Sequence, residues 1–122
     1  MPQSKEYQEG LKLAKELFGD KHGEFKDLPL PGDDDLSEEL VAWLYGYLMQ
    51  ERPLLNTRLR LLSAIAMLTV TQMEDMLADW IKAALKYGCT KDEIREVIIT
   101  MSIYAGWPVT RRGLDVAAEV FK

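Results

Sequence analysis

The chain has 122 residues, 48% of them hydrophobic and 29% charged, with a formal net charge of −5. This is the length of one domain, residues 1–122, with enough apolar material for a real core. The negative balance offers no basic surface for nucleic acid, and the longest nearly apolar run, Leu61 to Val70, is too short to span a bilayer. The first residues, MPQSKEYQEG, contain no apolar signal region, so the expected location is the cytoplasm. The single cysteine, Cys89, has no internal disulfide partner and no CxxC mate.

Ser4 to Phe18 is a predicted helix, with Leu11, Ala14, Leu17 and Phe18 at helical spacing and Gly19 as its stop. Asp20 to Asp34 is a loop punctuated by Gly23, Pro29, Pro31 and Gly32. The run Asp33-Asp34-Asp35 reads as a solvated helix start, where negative charge suits the helix dipole, and not as a calcium loop. Asp35 or Ser37 caps a second helix to about Glu51, with an apolar stripe of Leu40, Val41, Leu44, Tyr45 and Leu48. Pro53 prevents its continuation.

Asn56 can cap a third helix, Leu59 to Val70, which is apolar on nearly all sides and is expected to be buried in the domain and against a partner. A fourth helix is expected from Thr71 or Gln72 to Tyr87, with Gly88 after its end and a face of Met73, Met76, Leu77, Trp80 and Ala84. Thr90 and Glu93 form a capping box for a fifth helix. Ile94, Val97, Ile98, Met101 and Tyr104 or Ala105 line it, and Gly106 and Pro108 end it. The last helix, Val109 to Phe121, is expected to bury Leu114, Ala117, Ala118 and Phe121. No stretch alternates with period two, so the fold class is all-α, a bundle of about six helices.

The run AALKYGCTKDEIREVIITMSIYAGWP resembles the signature of the gamma-carboxymuconolactone decarboxylase family, which belongs with the AhpD-like proteins. LFGDKHG is similar to that family's Gly-Asp-x-His segment. LYGYLMQERPLLNTRLRLLSAIAML is similar to its aromatic-Gly, Arg-Pro and Thr-Arg stretch, with one extra residue before Arg52. LDVAAEVF is similar to its closing helix. The resemblance implies an AhpD-like bundle assembled as a homo-oligomer, often a trimer or hexamer, with pockets near subunit contacts and no cofactor.

It also implies where reactive groups should stand. Decarboxylase-type members carry a His on the fourth helix, and Trp80 occupies that position here. The CxxC of peroxidase-type members falls on Met73 and Met76, and their Glu on Leu61, next to Arg60 at the family Arg. A thioether supplies no thiolate, so thiol peroxidase chemistry is excluded. Indole and leucine are not general acids or bases at neutral pH. His22, Arg52, Arg60 and the ending from Tyr104 to Pro108 do match.

Each candidate has a structural reading beside the functional one. Met73, Met76 and Trp80 either pack a core or interface, or line a family pocket made apolar and aromatic. Arg52 and Arg60 suit a carboxylate, or a salt bridge to a neighbour such as Glu51 or Glu74. Arg58 and the pair Arg111-Arg112 have weaker claims. His22 is the one imidazole in the sequence, a candidate acid or base or a structural hydrogen-bonding residue. No cluster makes a case for a metal. Cys89 precedes the helix cap Thr90 and reads as structural.

Two functional readings follow. One is a cofactor-free decarboxylase of a small lactone carboxylate, with Arg60 or Arg52 orienting, His22 donating a proton, and Leu61, Met73, Met76, Trp80 and Tyr104 lining the site. The other is a repurposed or non-enzymatic member that binds an apolar or aromatic ligand in an oligomer-interface pocket.

Overall fold

The computed structural model describes residues 4–19, 34–52 and 54–122. These form α1 (Lys5–Phe18), α2 (Asp34–Val41), a π-helical segment (Ala42–Leu48), α3 (Met49–Glu51), α4 (Thr57–Val70), α5 (Glu74–Lys86), α6 (Lys91–Thr100), α7 (Ser102–Ala105) and α8 (Trp107–Phe121). The described residues contain no strand, in keeping with the all-α class. No helix among them is long and apolar enough to cross a membrane. The chain divides into two compact units, Met1–Thr57 and Arg58–Lys122.

In the first unit α1 packs on α2 and on the π segment. Ser4 caps α1 by accepting the Tyr7 amide at 3.1 Å. Tyr7, Leu13, Ala14 and Leu17 form its buried stripe, where the apolar spacing predicted one. The second predicted helix differs in kind, because it leaves α-helical register from Ala42 to Leu48. Among the described residues its buried apolar side chains are Val41, Tyr45 and Met49, spaced four apart, with Gly46 buried beside Tyr45, while Leu40 faces solvent. A π turn takes up more residues than an α turn, so one extra residue is absorbed without breaking the helix.

The π register is held by side chains. Gln50 Nε2 donates to the Tyr45 carbonyl at 2.7 Å and to the Glu9 carbonyl of α1 at 3.0 Å. Thr57 Oγ1 donates to the Met49 carbonyl at 2.6 Å. Phe18 meets the Tyr45 ring edge-on at 6.0 Å, and Tyr45 is fully buried.

In the second unit α8 packs against α5, α6 and α7. Its Gly113 lies so close to α4 and α6 that a methyl group there would come within 2.8 Å of Thr69 Cγ2 and 2.9 Å of Ile98 Cγ2. α4 is apolar around its circumference, with Leu61, Ile65 and Leu68 buried and Leu59, Met67 and Val70 exposed. Thr71 and Gln72 do not open α5, as the sequence suggested. They close α4: the Met73 amide donates to the Leu68 carbonyl and the Gln72 amide to that of Thr69, with Gln72 at φ 60°. This is a Schellman closure with Gln where Gly is usual. α5 ends in the same way at Gly88, φ 99°, as the sequence predicted.

The Thr90–Glu93 capping box is present at both hydrogen bonds, 3.0 and 2.9 Å. Glu93 also pairs with Arg58, which ties the start of α4 to the start of α6. The fifth predicted helix is interrupted at Met101 and resumes as α7. On α8 the buried residues are Thr110, Gly113 and Ala117, whereas Ala118 is exposed. Phe121 is half-buried, with Lys91 Nζ and the Arg95 guanidinium each 5.7 Å from its ring centre.

Candidate functional site

The candidate positions singled out in the sequence are distributed unevenly. Arg52 lies in the first unit, exposed, just after α3. Arg60, Leu61, Met73, Met76, Trp80 and Tyr104 belong to the second. His22 lies outside the described residues.

On α4, Leu61 is fully buried and Arg60 beside it is half-buried. On α5, Trp80 is 6% exposed and sits among the buried residues Leu77, Ile81, Ala83 and Ala84. The helical face predicted from Met76 to Ala84 therefore points inward. Met73 departs from it. It is the residue before α5, makes no side-chain cap, and is 46% exposed. Tyr104 is 75% exposed on α7. The structure thus takes Leu61 and Trp80 into the interior, leaves Arg60 and Met76 at its edge, and puts Met73 and Tyr104 at the surface.

The three arginines with weaker claims have structural partners. Arg58 holds Glu93. Arg111 Nε donates to Asp115 at 3.2 Å, and Arg112 Nη1 donates to Gln72 Oε1 at 3.2 Å. Cys89 is buried, and its thiol makes a weak contact to the Arg58 carbonyl at 3.9 Å. Burial pushes that thiol up from its ordinary value, partly offset by the Arg58 charge. A thiol held protonated and out of solvent is a packing residue, not a nucleophile. Among the described residues no three metal-binding side chains gather.

The chemistry these positions can perform is limited. Arg60 supplies a permanent positive charge. Leu61 and Trp80 supply dry apolar surface and no proton. Residues 38–119 match the model of the Carboxymuconolactone decarboxylase family. A 4-carboxymuconolactone decarboxylase of Acinetobacter baylyi is 32% identical over 125 residues, covering 100% of this chain and 91% of that protein. The chain belongs to the carboxymuconolactone decarboxylase family. An uncharacterized 15.0 kDa protein in the nqo9-nqo10 intergenic region of Paracoccus denitrificans is 36% identical over 69 residues, 55% of this chain and 52% of that protein. The family match runs across the division between the two units, so both contain family sequence.

Sequence reasoning missed one open feature of this family member. On the first unit Trp43 and Tyr47 stack with ring centres 5.1 Å apart and planes 27° from parallel. They help to line a groove of about 460 Å³ with Glu6, Glu39 and Ala42. An α-helical stripe drawn through Leu40, Leu44 and Leu48 could not single out this pair.

Proposed function

We propose that this chain acts on a small lactone carboxylate as a cofactor-free decarboxylase, with Arg60 as the carboxylate anchor. The observation that carries this reading is the full-length similarity to a 4-carboxymuconolactone decarboxylase, and Arg60, half-buried on α4, is the charge it offers. In the reaction the bond between the substrate carbon and its carboxylate breaks. The electron pair passes into the substrate's own alkene or carbonyl, carbon dioxide leaves, and a proton is delivered to carbon. The protein's tasks are to orient the carboxylate, strip its water and supply the proton. Arg60 orients, Trp80 and Leu61 exclude water, and His22 is the candidate donor. The chain is further proposed to self-associate, as a trimer or hexamer.

Direct assay with 4-carboxymuconolactone tests this, following lactone loss and carbon dioxide release. Turnover that falls by roughly a hundredfold or more in R60A and H22Q supports the scheme. A folded wild-type protein without turnover overturns it.

A second reading is favoured by the burial of Leu61 and Trp80. Leu61, Met73, Met76 and Trp80 stand where the resemblance implies a carboxylate, two thiols and an imidazole, and Leu61 and Trp80 are packed in the interior. On this reading the protein kept the fold, lost the chemistry, and binds an apolar or aromatic ligand. Enzyme without turnover that still takes up a neutral aromatic lactone would select it.

A further inference from the structure

We propose that Gln72 and Arg112, joined where α4 closes beside α8, form a binding site for a small carboxylate with an apolar body, such as an aryl carboxylate. Arg112 Nη1 donates to Gln72 Oε1 at 3.2 Å. Both partners stand on fixed backbone. The closure of α4 holds Gln72 at φ 60°, through its own amide to the Thr69 carbonyl and the Met73 amide to that of Leu68. Arg112 adjoins Gly113, whose close approach to Thr69 seats α8 on the end of α4. Among the described non-glycine residues Gln72 alone has a positive φ. Glycine would take this conformation without strain, and one exposed hydrogen bond returns less than the strain costs. A side chain kept at such a position points to a task other than stability.

The bond itself sets the sign of the ligand. A guanidinium only donates, so the carboxamide turns its oxygen to Arg112 and keeps its two N–H donors unspent. The pair therefore offers guanidinium and amide N–H groups side by side, and its neutral member leaves the guanidinium its full charge. Arg58, Arg95 and Arg111 are each paired with a carboxylate. Among the described residues Arg112 is in no ion pair, and neither Glu74 nor Asp75, which open α5 just beyond, reaches it. Planar N–H donors fit the two oxygens of a carboxylate. Met73, exposed next to Gln72, supplies a thioether for the body of the ligand, and sulfur at a ring edge is a favourable contact. Arg60 lies twelve residues back along α4, about 18 Å at the helical rise. This site is thus separate from the lactone anchor and does not depend on turnover.

The probe is benzoate, titrated into the full chain near neutral pH at constant ionic strength. Binding is followed by the Arg112 Nε–H, Gln72 carboxamide and Met73 methyl resonances. Saturable shifts at all three, with one benzoate per chain, are expected. Benzamide, which has nearly the same shape without the charge, should bind roughly tenfold more weakly. R112Q and Q72G should each weaken benzoate by a similar factor. Q72G removes the carboxamide while easing the backbone, so its loss of binding should come without loss of fold, and R112Q alters an exposed side chain, so its circular dichroism should match the wild type. R60A should leave the benzoate affinity measured at these resonances unchanged. Absence of saturable shifts at millimolar benzoate overturns the proposal, as does equal binding of benzamide. Benzoate binding unchanged in Q72G and R112Q, or lost in a folded R60A, overturns it too, by placing the carboxylate elsewhere on the chain.

Discussion

Gly10 of α1 and Gly46 of the π segment meet backbone to backbone. A methyl group on Gly10 would lie 2.6 Å from the Val41 carbonyl oxygen and 2.8 Å from the Gly46 nitrogen. One on Gly46 would collide with the Glu6 carbonyl. Both glycines are needed for the helices to cross this closely, and the obstructing atoms are backbone, which cannot rotate away.

The G46A variant is therefore expected to destabilise the first unit. Alanine normally favours a helix over glycine by about 1 kcal/mol. Overpacking against fixed backbone costs about 1–3 kcal/mol and wins, because here the whole of α1 must move. Denaturant unfolding should show a lower midpoint for G46A and for G10A. An unchanged midpoint in G46A would contradict the crossing described.

Tyr45 gives the protein an alkaline limit. Burial raises its phenol well above the ordinary value of 10.0. The unfolded chain releases this proton once pH passes the ordinary value, and the folded chain does not. Stability is thus fully present below pH of about 10 and falls above it, by about 1.4 kcal/mol per pH unit from this group. Unfolding followed by near-ultraviolet circular dichroism between pH 9 and 12, as roughly the window of tyrosine ionisation, should show the loss. The Y45F variant should be less sensitive over that window. Identical pH profiles for the two proteins would assign the alkaline limit elsewhere.

Gln72 holds a left-handed conformation in the closure of α4. An L-residue with a side chain pays about 1–2 kcal/mol there relative to its preferred backbone. Its side chain returns one exposed hydrogen bond from Arg112, worth well under that. Q72G should raise stability by about 0.5–1 kcal/mol, since glycine's added freedom when unfolded offsets part of the relief. A thermal midpoint lowered in Q72G would show that the Arg112 contact outweighs the strain.

These three sites mark where sequence reasoning succeeded and where it could not. The Thr90–Glu93 box, the Ser4 start and the Gly88 stop are local chemistry, and the structure has all three. The π segment is not local chemistry. Its residues Ala42 to Leu48 would suit an α-helix equally well, and what selects the wider turn is the close crossing with α1, which joins residues far apart in sequence. The Schellman closure at Gln72 was hidden because Gln is not a residue that announces a left-handed turn. At the candidate site, Trp80 was legible on one face of its helix and Leu61 only as part of a helix apolar on nearly all sides. Their depth, the exposure of Tyr104, and the Trp43–Tyr47 groove depend on packing that periodicity does not carry.

Self-association should be measurable. Ile103, Tyr104 and Trp107 are exposed within a few residues of each other on α7 and the start of α8. A surface this apolar favours association in water. Sedimentation at micromolar concentration is expected to show a trimer or hexamer. I103D, which puts a charge into the patch without disturbing a buried residue, should shift the distribution toward smaller species. A wild-type monomer at that concentration would rule the assembly out.

Trp80 is where the two functional readings part. The sequence resemblance sets it where decarboxylase-type members are expected to carry a His, and it is almost wholly buried. W80H returns a proton-transfer group to that position. The smaller ring leaves space behind it and should cost about 3 kcal/mol of stability, so the variant is assayed well below its melting temperature with its fold checked by circular dichroism. A positioned general acid contributes about a hundredfold or more to a proton-transfer step. If Arg60 and its surroundings still form a decarboxylase pocket, carbon dioxide release from 4-carboxymuconolactone should rise by roughly that factor over the wild type. The gain should vanish in W80H/R60A, because the added imidazole is useless without the carboxylate anchor. A folded W80H protein with no gain would mean that the replacement of the reactive positions was accompanied by loss of the pocket itself.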